Sequence, residues 1–122
     1  MTVEDASAGR SVIRLALTEA HRNAVGGVMG GVILAMADFA CAVASNFGTG
    51  TGQYVSADAH VSFLRPCRGG IITAEAVCLK SGEKLSFFEV LIRDEQDVPL
   101  AKAAFTMCRV KPSPSNHMNT NQ

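Results

Sequence analysis

The stretch Val32-Ile-Leu-Ala-Met-Ala-Asp-Phe-Ala-Cys-Ala-Val-Ala44 decides the fold of this chain. Alanine favours helix, and Asn46 and Gly48, shortly after the stretch, form a reasonable C-terminal stop. The predicted helix is apolar on every side, so we expect it to be buried on every side. Its small side chains allow a sheet or another helix to approach closely. Asp38 is the only acidic or basic residue within it.

The sequence that follows this helix changes to a hydrophobic period of two. Residues 55–63 alternate between apolar and polar side chains, which predicts a half-buried strand. Arg65-Pro66 ends that strand, because proline cannot donate to a strand ladder. Three further strands, separated by short turns, are predicted at 71–79, 85–92 and 100–110. Four consecutive strands with short connections indicate an antiparallel meander.

The residues before the helix add one more strand and complete the architecture. Arg10 to Leu17 is a plausible strand, and Thr18 to Val28 is a polar, glycine-bearing loop. An apolar helix and a sheet with one apolar face bury each other. The prediction is therefore an α+β hotdog fold, a long antiparallel sheet wrapped around one central helix. We expect one domain over residues 1–110 and a disordered tail over 111–122, which is rich in Pro, Ser and Asn.

Composition excludes several classes of function. The 122 residues are 48% hydrophobic with a formal net charge of zero and no basic run, which argues against a nucleic-acid partner. The N-terminus lacks the features of a signal peptide, and the longest apolar run is shorter than the ~20 residues that span a bilayer. We expect a cytoplasmic protein with no membrane partner. Its four cysteines form no C-x-x-C pair, so we expect reduced thiols and no metal site.

Asp38 is the strongest candidate for chemistry. A carboxylate in a buried helix is costly unless it is paired or functional. It is either a structural group, capping a neighbour or pairing with an arginine of a partner subunit, or a desolvated general base or nucleophile. Gly30-Gly31 begin the helix, where free backbone N–H groups suit an oxyanion or a polarised carbonyl, although a tight turn explains them equally well. A catalytic Cys67 is disfavoured because no histidine partner is evident.

A resemblance to a known family becomes specific at these residues. The segment His21-Arg-Asn-Ala-Val-Gly-Gly-Val-Met-Gly-Gly-Val-Ile-Leu-Ala-Met-Ala-Asp38 resembles the signature of PaaI-like thioesterases, roughly N-x-x-G-x-x-H-G-G, about four apolar residues and L-A-D. The residues in register are Asn23, Gly26, Gly30, Gly31, Ala37 and Asp38. The strand that ends in Phe63-Leu-Arg-Pro66 resembles the family's F-L-R-P strand. The likeness extends from Arg10 to Val110.

The resemblance implies hydrolysis of an acyl-CoA thioester by a homo-oligomer, a dimer or a dimer of dimers, whose sites combine residues of two subunits. Asp38 is then the base or nucleophile, and the N–H of Gly30 or Gly31 polarises the thioester carbonyl. Asn23 orients the thioester or the attacking water, and Ser56 positions that water. The resemblance implies no cofactor, because coenzyme A is part of the substrate. The residues expected to contact substrate or coenzyme A are Met29, Arg65, Gly82 and Lys84.

Met29 departs from the family pattern, because it stands where a histidine usually precedes Gly-Gly. Methionine cannot donate a hydrogen bond to the thioester carbonyl, so polarisation would depend on backbone N–H groups. His21 and His60 are expected to be ordinary histidines. A non-catalytic acyl-CoA-binding protein is therefore the alternative hypothesis. A hotdog dehydratase is a third, disfavoured because the helix carries no His/Asp pair.

Overall fold

The computed structural model describes residues 1–22, 27–48 and 53–110. Within these ranges the chain forms β1 (Thr2–Ser7), β2 (Arg10–Ala16), a 3-10 helix (Glu19–His21), α1 (Gly30–Asn46), β3 (Gln53–Phe63), β4 (Ile71–Ser81), β5 (Leu85–Arg93) and β6 (Pro99–Val110). The strands form one antiparallel sheet in the order β1-β2-β4-β5-β6-β3. This sheet packs against α1, so the predicted α+β hotdog architecture is confirmed.

The sheet differs from the prediction at both of its edges. β1 was not predicted, because its sequence has no apolar face and it lies exposed beside β2. The four-strand meander was wrong: β3 pairs with β6, and only β4, β5 and β6 form a meander. After β3 the chain stays beside β6, since the N–H groups of Leu64 and Arg65 bind the carbonyl of Leu100. The N–H of Leu17 binds the carbonyl of Gly70 at 2.9 Å, next to the first residues of the β2–β4 pairing.

The core lies between α1 and the inner face of the sheet. Small residues on both sides, such as Ala37 and Ala40 on the helix and Ala74 and Ala103 on the strands, are fully buried or nearly so. They let the helix backbone approach the sheet closely, and larger side chains fill the remaining space. The buried Ser11 hydroxyl donates to the carbonyl of Ala40 at 2.7 Å, which links β2 directly to the helix.

The helix ends where the sequence predicted, at Asn46. The side chain of Asn46 donates to the carbonyl of Ala42 at 3.0 Å and to the carbonyl of Tyr54 at 3.1 Å. It also accepts the N–H of Tyr54 at 2.7 Å. One amide therefore caps the helix and fixes the start of β3. No helix in the described part of the chain is both long and apolar enough to cross a membrane.

The expectation that α1 is buried on every side is wrong for a single chain. The face that carries Gly31, Leu34, Ala35 and Asp38 is exposed, and Phe39 beside it is 38% exposed. The reason is that the sheet covers only one side of the helix. β3, at the sheet edge, is exposed along almost its whole length rather than half-buried. The chain therefore presents an apolar helix face next to an unpaired strand edge.

An ion-pair network joins four strands on the outer face of the sheet. The Glu75 carboxylate accepts a hydrogen bond from Arg10 at 2.8 Å and another from Arg93 at 2.5 Å. Arg10 also donates a hydrogen bond to Asp5 at 2.9 Å. Burial would raise the pKa of the Glu75 carboxyl, but the two arginines outweigh this effect and lower the pKa below its usual value. A carboxyl whose pKa is lowered on folding stabilises the fold above its unfolded pKa. That contribution is lost as the pH falls through the folded pKa.

We expect Glu75→Gln to lower the free energy of unfolding at pH 7 by about 1 kcal/mol, or about 3–6 °C in melting temperature. The difference between variant and wild type should shrink as the pH falls through the lowered pKa of folded Glu75, because the wild-type carboxyl then becomes protonated as well. Thermal unfolding measured from pH 3 to pH 8 tests this. Glu89→Gln is the control, since among the described residues Glu89 pairs only with the exposed Lys102, at 3.2 Å. Equal effects of the two changes at all pH values would contradict the role given to the network.

Candidate active site

Backbone hydrogen bonds hold the start of α1 in place. Met29 donates to the carbonyl of His21 at 2.9 Å, and Val28 donates to the carbonyl of Cys67 at 2.9 Å. The Met29 carbonyl accepts the N–H of Val32 at 3.0 Å, which closes the first helical turn. Among the described residues nothing accepts the N–H groups of Gly30 and Gly31. Two donors at the positive end of the helix dipole are therefore available to a ligand oxygen.

The two glycines of the helix start have different surroundings. A Cβ on Gly30 would lie 3.1 Å from the ring of Phe63, which packs over this residue from the end of β3. A Cβ on Gly31 would meet nothing within 4 Å. Gly30 is therefore explained by packing against Phe63, a contact that the sequence did not predict. Gly31 faces open space and is the more accessible of the two.

Asp38 lies on the same helix face as Gly31, two turns further along the helix. Leu34 and Ala35 lie between them, which gives the spacing i, i+3, i+4, i+7 of one helical stripe. The rise from Gly31 to Asp38 is about 10 Å, so both groups of one chain cannot contact a single carbonyl directly. Contrary to the expectation of a desolvated carboxylate, Asp38 is exposed in the single chain.

Ser56 is brought to Asp38 by an irregularity of β3. The pairing with β6 shifts register between Ser56 and Asp58, a β-bulge at Ala57. The bulge reverses the alternation, so that Ser56 and Ala59 both face the helix. The Ser56 hydroxyl donates to Oδ1 of Asp38 at 2.5 Å. Bulges commonly re-aim side chains beside active sites, and the strict alternation read from the sequence gave no sign of this one.

A cavity of about 340 Å³ surrounds this carboxylate and hydroxyl. It is lined by Gly31, Leu34, Ala35, Asp38, Ser56, Ala59 and Phe105. Asp38 and Ser56 supply its polar side chains, and the rest of the lining is glycine, alanine, leucine and phenylalanine. Such a site suits an apolar group attached to a polar reacting centre. The structure thus brings together three of the predicted catalytic residues, Gly31, Asp38 and Ser56, and places Gly30 next to them in the chain.

A second cavity, of about 410 Å³, is lined by Gly30, Phe63 and Pro66 among others. Arg65 lies at this cavity and donates to the carbonyl of Pro99 at 2.7 Å. Cys67 also lines it, with its sulfur 3.7 Å from the carbonyl of Gly69. Among the described residues, no histidine hydrogen-bonds to this thiol.

Arg65, Gly82 and Lys84 do not lie together in one chain. Arg65 lies beside Leu100, at the start of β6. The Lys84 carbonyl accepts the backbone N–H of Arg109, at the other end of β6 and about 30 Å away. Gly82 is required by the β4–β5 turn, because a Cβ there would collide with the carbonyl of Leu85.

Met29 lies at the helix N-cap and is 38% exposed. Asn23 falls outside the described residues.

Cys41 is buried one turn beyond Asp38. Burial, with a smaller contribution from the nearby charge of Asp38, raises the pKa of the Cys41 thiol to about 12. The thiol is therefore protonated at neutral pH and takes no part in nucleophilic chemistry. Among the described residues, no group of three or more His, Cys, Asp or Glu side chains is placed to hold a metal ion.

The fold and this site define a hotdog protein of the thioesterase type, and comparison with known proteins agrees. Residues 25–101 match the model of the family described as "Thioesterase superfamily". The chain therefore belongs to the thioesterase superfamily. A Deinococcus radiodurans protein named "Putative esterase" is 37% identical over 94 residues, covering 76% of this chain. This chain spans 62% of the length of that relative.

Solved structures show the same fold. The PaaI protein of Escherichia coli, from the phenylacetic acid degradation operon, superposes with a TM-score of 0.81 at 24% identity, covering 87% of this chain and 76% of that one. A Streptococcus mutans protein bound to acetyl CoA superposes with a TM-score of 0.83 at 19% identity, covering 89% of this chain and 87% of that one. At these identities the likeness establishes the fold alone.

Proposed function

We propose that the protein is an acyl-CoA thioesterase, which hydrolyses an acyl-CoA thioester to the free acid and coenzyme A. The observation that carries the proposal is the Asp38–Ser56 pair, a carboxylate and a hydroxyl 2.5 Å apart in an otherwise apolar cavity. The acetyl CoA bound to the S. mutans protein of the same fold supports the choice of thioester. No cofactor takes part beyond the coenzyme A of the substrate, and the enzyme acts in the cytoplasm.

The mechanism assigns different tasks to the two oxygens of Asp38. Ser56 donates to Oδ1, which fixes the carboxylate and leaves Oδ2 to act on the substrate. As a general base, Oδ2 takes a proton from water while the water oxygen attacks the thioester carbon. The N–H of Gly31 or Gly30 stabilises the negative oxygen that develops. The C–S bond then breaks, and the sulfur leaves with its electron pair and takes up a proton.

In the alternative mechanism, Asp38 acts as a nucleophile. It would attack the same carbon directly, and water would hydrolyse the resulting anhydride.

The proposal includes a homo-oligomer, with a dimer as its smallest unit. The exposed apolar face of α1 adjoins the free edge of β3, and a second copy can cover both in one symmetric contact. Within one chain Gly31 and Asp38 are about 10 Å apart along the helix. Antiparallel pairing of two such helices brings Asp38 of one copy towards the helix start of the other. Our proposal is that each site combines residues of two copies.

The same pairing brings together the residues assigned to coenzyme A. Arg65 and Lys84 lie at opposite ends of one sheet, so one chain cannot use both on one ligand. Antiparallel pairing of two β3 edges places the Lys84 end of one copy beside the Arg65 end of the other. Arg65 and Lys84 then supply positive charge to the phosphates of coenzyme A, and the backbone of Gly82 lies next to Lys84. Asn23 remains part of the proposal as the residue that orients the thioester or the water.

The alternative is an acyl-CoA-binding protein without activity. Met29 favours it, because this side chain at the helix start supplies no hydrogen bond to a carbonyl. The Asp38–Ser56 pair favours the enzyme, because binding an apolar acyl group does not require a carboxylate in the cavity.

We expect release of coenzyme A from at least one class of acyl-CoA in a panel of short, long and aromatic acyl esters. Continuous trapping of the liberated thiol measures the rate, and Asp38→Asn protein at equal concentration supplies the background. Turnover equal to that background for every ester, combined with saturable binding of an acyl-CoA, would establish the binding protein instead.

A further inference from the structure

The residue row that begins at Ser56 on β3 continues across the sheet. Ser56 is paired with Met107 on β6, and Met107 is paired with Ser86 on β5. Directly opposed residues of an antiparallel pair lie on the same face of the sheet. Because Ser56 faces Asp38 on the helix, Met107 and Ser86 face the helix as well. Neighbouring strands are about 4.8 Å apart, so Ser56 and Ser86 are separated by about 10 Å, with Met107 between them.

Met107 lies between two cavities. Ser56 and Phe105 line the cavity around the catalytic carboxylate, here called the carboxylate cavity. Ser86 and Phe88 line another cavity, of about 410 Å³, beside the last turn of α1, here called the end cavity. Phe105 and Phe88 are themselves directly opposed. The carboxylate cavity and the end cavity are therefore separated by two side chains of β6, those of Phe105 and Met107.

Met107 is held in place as part of the core. Its side chain is 1% exposed, and its sulfur lies 3.7 Å from the hydroxyl oxygen of Ser56. A ligand can pass through a close-packed interior only by displacing side chains. Beyond Met107, the hydroxyl of the buried Ser86 has no hydrogen-bond partner among the described residues. An apolar chain that reached the end cavity would cover this hydroxyl without satisfying it, which is unfavourable.

We propose that Met107 limits the length of the acyl group, because it closes the inner end of the carboxylate cavity, and that the protein therefore prefers short straight-chain acyl-CoA esters to long ones. This inference rests on the proposed thioesterase function and names its substrate class. The thioester carbonyl lies at Asp38, and the acyl chain extends past Ser56 towards β6. A short chain ends before Met107, whereas a long chain has to displace it.

Butanoyl-CoA and dodecanoyl-CoA are the two probes that test this limit. We expect the wild-type kcat/KM to be at least ~10-fold higher for butanoyl-CoA. Met107→Ala removes the barrier, so the ratio of kcat/KM for dodecanoyl-CoA to that for butanoyl-CoA should rise at least ~10-fold, because additional methylene groups gain apolar contacts. Met107→Val removes less volume and should shift the ratio less in the same direction. It also provides the test if Met107→Ala is too unstable to fold.

Met36→Ala is the matched control, because it removes the same side chain from a fully buried position on α1 that lines neither cavity. We expect a lower melting temperature and an unchanged ratio. Equal losses on both esters in the Met107 variants, or an equal shift of the ratio in Met36→Ala, would show that Met107 only supports the core and would overturn the inference.

The wild type alone provides a second test. Equal kcat/KM for the two esters, a preference for dodecanoyl-CoA, or activity only on other acyl-CoA esters would also refute the limit set by Met107, while leaving the proposed function intact. A wild type that hydrolyses no acyl-CoA contradicts the proposed function first, and the inference with it.

Discussion

Asp38→Asn should lower the turnover number on an acyl-CoA by at least ~100-fold while the fold survives. Asparagine has nearly the shape of aspartate and can still accept the hydrogen bond from Ser56, but it can neither take a proton from water nor attack a thioester. We expect an essentially unchanged melting temperature, because Asp38 is exposed in the single chain and asparagine keeps the hydrogen bond from Ser56. Steady-state kinetics and thermal unfolding on the same preparation test both parts.

Two results would contradict this assignment. Full turnover in folded Asp38→Asn protein would remove Asp38 from the chemistry. A loss of stability with normal turnover in the remaining folded protein would show that Asp38 is structural. Ser56→Ala provides a graded comparison, since it leaves the carboxylate in place but frees its orientation, and its effect on turnover should be smaller than that of Asp38→Asn.

Leu34→Glu should convert the proposed oligomer to a folded monomer without activity. Leu34 is 40% exposed at the centre of the open helix face, so a charge there costs a single chain little. In a dimer the same charge would be buried against an apolar surface without a partner, which costs several kcal/mol. Light scattering at micromolar concentration should show at least a dimer for the wild type and a monomer for the variant. Turnover should fall to background, because the proposed site needs two copies.

Gln96→Glu is the matched control for this experiment. It adds the same charge in the exposed turn between β5 and β6, far from the helix face. We expect this variant to keep the wild-type mass and turnover. A wild type that is monomeric at micromolar concentration, or a monomeric Leu34→Glu protein with full turnover, would refute the shared site.

The sequence predicted those parts of the structure that depend on local pattern. The apolar helix, its end at Asn46 and strands β2, β4, β5 and β6 follow from composition and periodicity, and all are confirmed. The pairing of β3 with β6 was not predicted. The sequence of a strand indicates that it is a strand, but it does not indicate which other strand lies beside it. β1 was missed for a related reason: an exposed edge strand needs no apolar face.

The candidate site was predictable in its residues more than in its geometry. Asp38 stands out because a carboxylate interrupts an apolar helix, and that signal needs no structure. The bulge at Ala57 that turns Ser56 towards Asp38 leaves no trace in the alternation of β3. The exposure of Asp38 could not be inferred either, because the hydrophobicity of a helix does not reveal whether its own chain or another copy covers it.

The position of β3 in the sheet also affects how the chain is made. Phe63 pairs with Ala101, so β3 leaves the ribosome roughly 40 residues before its pairing partner. At a synthesis rate of about 5–20 residues per second, the strand waits for several seconds with both edges unpaired. Throughout that interval the nascent chain carries an apolar helix and an unpaired strand, the combination that chaperones bind. Closing the sheet through such a distant pairing also makes folding slow for a domain of this size.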